Sequence, residues 1–213
     1  MAEQKSGSQW PVNSSLKSKK KIWVGSPINW AYEKLLRGQS KIKKNYPVDP
    51  YVEVYQFRDN LYGIFSESLG GMGDPWIYLI VGPEKAMLID TGYGAGNLKG
   101  PVKEIIGNMP LIVVNTHAHR DHALGNFWFD MVYCHEYEVP ALKAQMNPDN
   151  WDQFFDKEGN CLYTEFDKED IVPYKEYEIV GIANGHVFNL GGDYDIELMH
   201  LLGTELQEPS MAE

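Results

Sequence analysis

The sequence predicts a single α/β domain, and three observations predict it. A strand, helix, strand succession runs between residues 76 and 114, short β-type runs precede it, and further strand-like runs follow residue 130. The 213 residues, 43% hydrophobic and 13% aromatic, suffice for one sizeable core and are too few for two large ones.

Residues 1–46 are rich in Ser, Lys, Gln and Asn and read as a basic, flexible extension with one short helix over 30–36. Lys17, Lys19, Lys20 and Lys21 lie between Trp10 and Trp23. A patch for nucleic acid or an anionic surface is one reading of that cluster; a solvated tail is favoured because no second basic motif supports the patch.

Residues 47–203 read as the folded domain. Val52, Val54 and Phe57, then Tyr62, Ile64 and Phe65, form β-type runs about a turn at Arg58, Asp59 and Asn60, which predicts a hairpin. After a flexible, Gly-rich stretch at 69–75, the apolar runs 76–81 and 86–89 flank a Gly82-Pro83-Glu84-Lys85 turn and read as two buried adjacent strands. Leu98, Val102, Ile105 and Ile106 have helical spacing, Gly107 and Asn108 stop the helix, and 111–114 is a buried strand. A right-handed crossover sets that strand parallel to the one before the helix. Asp90, Thr91 and Gly92 then lie near residues 117–122 at one sheet edge, where open α/β sheets place their ligand sites.

Further on, 131–134 reads as a strand, 136–146 as a helix with Val139, Leu142 and Met146 on one face, and 151–155 as an aromatic helical turn. The polar, acidic 156–175 reads as an inserted loop. Strands are expected again at 186–190 and 194–200, where Tyr194, Ile196, Leu198 and His200 share a face. Residues 204–213 form a polar, acidic tail.

Charge and cysteine usage narrow the partners. The net charge is -11, and residues 1–50 carry ten Lys/Arg against three Asp/Glu, so the remainder is strongly acidic and nucleic acid is not an expected partner. Cys134 and Cys161 make no disulfide framework, and the chain shows neither a signal-peptide run nor an apolar stretch long enough to span a bilayer. The expectation is a soluble, cytoplasmic protein with no membrane partner.

Three of the six histidines fall between positions 117 and 122, with an aspartate among them, directly after a buried strand. In extended backbone His117, His119 and Asp121 point the same way, and a turn at Asp121 swings His122 round to join them. Imidazole and carboxylate suit Zn, with Fe or Mn as alternatives, and the types and spacing fit one or two neighbouring ions. Thr116 and Arg120 are expected to be positional, with Arg120 turned to solvent.

Four strings together resemble the metallo-β-lactamase superfamily of hydrolases, in the order that family uses. They are Trp76-Ile77-Tyr78-Leu79-Ile80, then Leu88-Ile89-Asp90-Thr91-Gly92, then Asn115-Thr116-His117-Ala118-His119-Arg120-Asp121-His122, and finally Gly191-Gly192 before a strand ending in His200. The resemblance covers roughly residues 50–203. It implies an αββα sandwich with His117 and His119 in a first metal site and Asp121 and His122 in a second. It further implies that water bound between metals attacks an ester, thioester, amide or phosphodiester of a small molecule, with Asp121 orienting it and taking its proton. Asp90 matches the family's buried aspartate, which supports the site without ligating; read alone, it equally suits a cap for the turn before Gly92.

The chain departs from the family at its end. Where the family carries a His-x-Pro-Gly-His-Thr string, this sequence reads His200-Leu201-Leu202-Gly203-Thr204, so the third-ligand histidine is absent and only residues 205–213 follow. The expectation is an incomplete second half, weak metal binding and impaired hydrolysis. The alternative is a non-catalytic fragment that pairs with a longer relative, or with a second copy, through an exposed sheet face. His200, His135 and His186 are expected to pack or hydrogen-bond rather than ligate. Gly92, Gly94 and Gly96 suggest a dinucleotide loop, but Asn97 stands where the third glycine belongs, which leaves a flexible turn beside the metal motif.

Overall fold

In the computed structural model, the described residues are 19–20, 41–44, 46–66, 75–165 and 168–201. The helix expected over 30–36, most of the Gly-rich stretch before Pro75 and the tail from 204 lie outside them.

The fold is α/β, built on a mixed sheet of eight strands. β1 (Lys19–Lys20) lies apart from that sheet. β2 (Lys43–Lys44), β3 (Val52–Arg58), β4 (Leu61–Ser66), β5 (Trp76–Val81) and β6 (Ala86–Ile89) each run antiparallel to the next. β7 (Leu111–Val114) and β8 (Met131–His135) continue the sheet in parallel from β6. β9 (Thr164–Glu165) pairs with β1 outside it, and β10 (Glu178–Ile182) closes the sheet parallel to β8. β11 (His186–Asn189) and β12 (Asp195–Leu198) form a separate antiparallel hairpin.

Local sequence explains the helices. α1 (Lys99–Ile106) carries Pro101 near its start, where a missing N–H costs nothing, and ends at Gly107, whose φ of 62° lets its N–H turn back to Lys103 O. α2 (Arg120–Ala123) is one turn inside the histidine motif, and α3 (Val139–Ala144) follows β8. The helix expected over 136–146 is therefore shorter: 136–138 is a 3₁₀ turn. Pro140 accounts for the break, since in one continuous helix its ring would meet the carbonyl of Glu136.

Three further expectations need correction. Lys43–Lys44, placed in the extension, is the outer strand of the sheet, and Gln56 N donates to Ile42 O at 2.8 Å beside it. Lys19–Lys20, read as a flexible tail, pairs through its backbone with β9. Two-residue charged strands show no alternation; only their main-chain partners define them. The polar 156–175 stretch, read as an inserted loop, contains β9 and buries Cys161, Asp170 and Val172. β10 was not expected at all. It is short and contains Gly181, and its pairing with β8 supports it.

One face of the sheet is closed by helices and turns. There Ile64, Ile77, Leu79 and Leu88 meet Leu124, Phe127, Trp128 and Trp151. Each such aliphatic side chain removed from water stabilises the fold by roughly 1.5–3 kcal/mol. The β11–β12 hairpin packs on the other face through Phe188 and Leu190, against Met87, Val114 and Ile182. Ile80, Ile89 and Ile112 on that face are half-buried, so the cover there is partial.

Candidate metal centre

Strand pairing brings the site together. β6 and β7 are parallel with Ile89 opposite Val114, so Asp90 and residues 115–122 leave the sheet at the same edge. Asp90 N donates to Val114 O at 2.8 Å, and Asn115 N to Tyr133 O on β8. Asp90 has φ 65°, the only non-glycine residue with positive φ among the described ones. That conformation is uncommon, though aspartate tolerates it better than most.

Asp90 spends its carboxylate on the motif rather than on the turn before Gly92. Oδ1 accepts from Thr116 N at 2.7 Å, and Oδ2 accepts from Thr116 Oγ1 and lies 2.8 Å from His122 Nδ1. Thr116 Oγ1 also lies 2.9 Å from His117 Nδ1. A threonine hydroxyl carries one proton, and a carboxylate only accepts. Thr116 therefore donates to Asp90 and accepts from His117 Nδ1–H, which leaves the lone pair of His117 on Nε2.

That nitrogen faces His119 Nδ1 at 3.0 Å. Two lone pairs cannot oppose each other so closely, so either a proton or a cation must stand between them. Nitrogens bound at ~2.1 Å to one tetrahedral zinc are about 3.4 Å apart, so the pair need open only by a few tenths of an ångström. His117 and His119 fit a zinc-class ion as two of the three protein ligands that a catalytic site takes. Among the described residues, no group of three or more His, Cys, Asp or Glu side chains is disposed to hold a metal.

The second half of the motif is arranged differently. His119 ends the extended segment with ψ 147°, and its carbonyl accepts from the N–H groups of both His122 and Ala123, starting α2. That turn puts His122 4.3 Å from His117, ring centre to ring centre, and 3.3 Å (Nε2 to Oδ2) from Asp121. Both ring nitrogens of His122 thus meet carboxylates. Burial disfavours its charged form, but hydrogen bonds and charge from Asp121 and Asp90 prevail and push it up to about 10. Burial acts against Asp121 too, yet its bond to His122 holds its carboxyl below the usual range. The structure brings all four side chains together; His122 is held as an ion-pair partner, and Arg120 is exposed.

A buried polar network supports α2 from below. His122 O accepts from Thr91 N and Asn115 Nδ2 at 2.8 and 3.3 Å. Asn126, fully buried, accepts from Thr91 Oγ1 and Asn115 Nδ2 and donates to Asn115 Oδ1 and the Tyr177 hydroxyl. Neither Asn126 nor Tyr177 was singled out from sequence. The available signal was a polar side chain inside the apolar run Leu124-Gly125-Asn126-Phe127-Trp128, which a buried hydrogen-bonded asparagine explains.

A cavity of about 660 Å³ opens beside His117, between the ends of β7, β8 and β10 and the strand β12. Val114, Thr116, Ile182 and Leu198 line it, and His135 and His200 stack at its wall with ring centres 4.0 Å apart. His200 N also donates to Asn184 Oδ1. His186 packs edge-on against Phe188. Burial, with Glu138 adding, pushes the Cys134 thiol up to about 12, so it offers no nucleophile.

The glycine turn is filled by protein. Gly92, Gly94 and Gly96 have φ of 72°, 80° and 78°; a Cβ on Gly94 would lie 2.6 Å from Val172 Cγ1, and one on Gly96 2.3 Å from Asp49 Oδ1. Gly96 N donates to Asp170 O and Asn97 N to Asp49 Oδ2, so these amides serve the fold rather than a phosphate. The expected flexible turn is instead a packed one.

Sequence comparison identifies the class of protein to which this α/β sheet belongs. The profile of the metallo-β-lactamase superfamily matches residues 70–200, more than half of the chain, and the chain belongs to that superfamily. It is 30% identical over 144 residues to the human acyl-coenzyme A thioesterase MBLAC2, an alignment covering 60% of this chain and 50% of that one. The Bos taurus protein of the same name is 28% identical over 144 residues. The chain spans about half the length of these curated relatives. Among solved structures, a metallo-β-lactamase from Pontibacter korlensis is similar with a TM-score of 0.46 and 20% identity, covering 68% of this chain and 59% of that one. One from Erythrobacter litoralis has a TM-score of 0.41 and 18% identity, covering 67% and 55%. No helix among the described residues is long and apolar enough to cross a membrane.

Proposed function

We propose that this chain is a metal-dependent hydrolase acting on a small thioester, with a zinc-class ion on His117 and His119, and with Asp121 and His122 as a second pair once His122 gives up the proton that joins it to Asp90 and Asp121. The observation that carries this reading is the His117 lone pair, set by Thr116 and Asp90, facing His119 at 3.0 Å beside an open cavity. When bound, such an ion supplies Lewis acidity and lowers the pKa of water.

The chain's own residues do the rest. Thr116 holds His117 in the tautomer that carries its proton on Nδ1 and its lone pair on Nε2. Asp121, half-buried and beside the imidazoles, orients the attacking water and accepts its proton. Ile89, Val114, Ile182 and Leu198 give the cavity an apolar wall that suits the acyl part of a substrate. The thioester class is supported by the relatives named acyl-coenzyme A thioesterase.

The test is release of free thiol from an acyl-coenzyme A by the full chain with added Zn²⁺. The reading expects turnover in the wild type and its loss in His117→Ala and His119→Ala. Turnover unchanged by either substitution, or no thiol release above the Zn²⁺ blank, overturns it.

A further inference from the structure

Ala118 stands between His117 and His119 and is itself buried. Its N–H belongs to the peptide that carries His117, and its carbonyl to the peptide that carries His119. A backbone turn at the mouth of a cavity can leave such groups to solvent. Here side chains take both. Ala118 N donates to Glu138 Oε2 at 2.9 Å, and Ala118 O accepts from Gln145 Nε2.

The two side chains flank α3, Glu138 capping its start and Gln145 its end. Seven residues separate them, two helical turns, so both project from one face of the helix about 10 Å apart along its axis. The helix is anchored in turn: Leu142 is fully buried with Ala118, Ala123 and Cys134, and Asn150 Nδ2 donates to Gln145 O. α3 is thus a spacer bar whose two ends grip the two peptide planes of one residue. A swing of either plane is levered out to the imidazole nitrogens at the far ends of the side chains, where a few tenths of an ångström decide whether one ion reaches both.

We propose that Glu138 and Gln145 are positioning residues that clamp Ala118 and thereby set the separation of His117 Nε2 and His119 Nδ1 for an ion. The proposal rests on the metal reading above, and its test separates the two. In the full chain, Zn²⁺ affinity is measured by competition with a chromophoric chelator, and imidazole ¹⁵N shifts of His117 and His119 are recorded without metal. Loss of such supporting bonds typically costs about 10- to 100-fold in metal affinity, and that loss is expected for Glu138→Ala and Gln145→Ala. Glu138→Gln keeps an oxygen to accept from Ala118 N–H, so it should restore most of the affinity and the wild-type shifts. Should Glu138→Ala not fold, Gln145→Ala and Gln145→Glu carry the same comparison, the latter setting a carboxylate against the Ala118 carbonyl. Folded Ala variants with wild-type Zn²⁺ affinity overturn the clamp. If the wild type takes up no Zn²⁺, the hydrolase reading falls, and the shifts decide the clamp alone: movement in Glu138→Ala with recovery in Glu138→Gln upholds it, and unmoved shifts overturn it.

Discussion

The two halves of the histidine motif are built unlike each other. His117 and His119 face one another across 3.0 Å near the surface, with the lone pair of His117 directed by Thr116. His122 sits one helical turn later, its nitrogens bracketed by Asp90 and Asp121 and its carbonyl held by Thr91 and Asn115. The first half sets two ring nitrogens face to face; the second ties the motif to the buried frame.

That division can be strained at its tightest point. A Cβ on Gly125 would lie 2.0 Å from Thr91 O, where the turn after α2 abuts the Asp90-Thr91 segment. Gly125→Ala should destabilise the fold by about 3 kcal/mol, because the neighbour is backbone and cannot rotate away. Denaturant unfolding checks this. A loss below ~0.5 kcal/mol would show that the frame around His122 is looser than described.

Asp90 joins the halves, and Asp90→Asn sharpens the contrast. An amide nitrogen opposite Thr116 lets that hydroxyl accept from it and donate to His117 Nδ1 instead, moving the ring proton to Nε2. Zn²⁺ affinity should fall by roughly 10- to 100-fold, and the ¹⁵N shifts of His117 should report the other tautomer. Unchanged shifts would break the Asp90, Thr116, His117 relay.

The smallest effect lies outside both halves. Lys175 Nζ meets Asp130 Oδ1 at 2.7 Å on the surface, and the bond holds the Asp130 carboxyl below its ordinary 3.8. A carboxyl lowered in the folded state adds stability above its unfolded value and loses it as pH falls through the folded one. Lys175→Gln should therefore cost about 0.5 kcal/mol or less at neutral pH, with the difference from wild type vanishing in acid. Thermal melts across that range read it.

Much of this frame was legible in the sequence. Apolar runs at 76–81, 86–89 and 111–114, with a helical spacing between the last two, were enough to place Asp90 beside residues 117–122, and the strands pair as expected. What stayed hidden was whatever depends on partners distant in sequence. β10 exists through its pairing with β8, and Asn126 acquires its role only when Thr91, Asn115 and Tyr177 surround it. Glu138 and Gln145 look like ordinary polar residues of a helical segment until Ala118 is seen between them. The motif's spacing brings the imidazoles together; it says nothing of which ring nitrogen carries the lone pair, because that follows from Thr116 and Asp90.

The most direct measurement is calorimetric titration of Zn²⁺ into the full chain, beside the His117→Ala, His119→Ala double variant with its fold checked by circular dichroism. The account predicts binding in the wild type that the folded double variant loses. Equal affinity in the two proteins would contradict it.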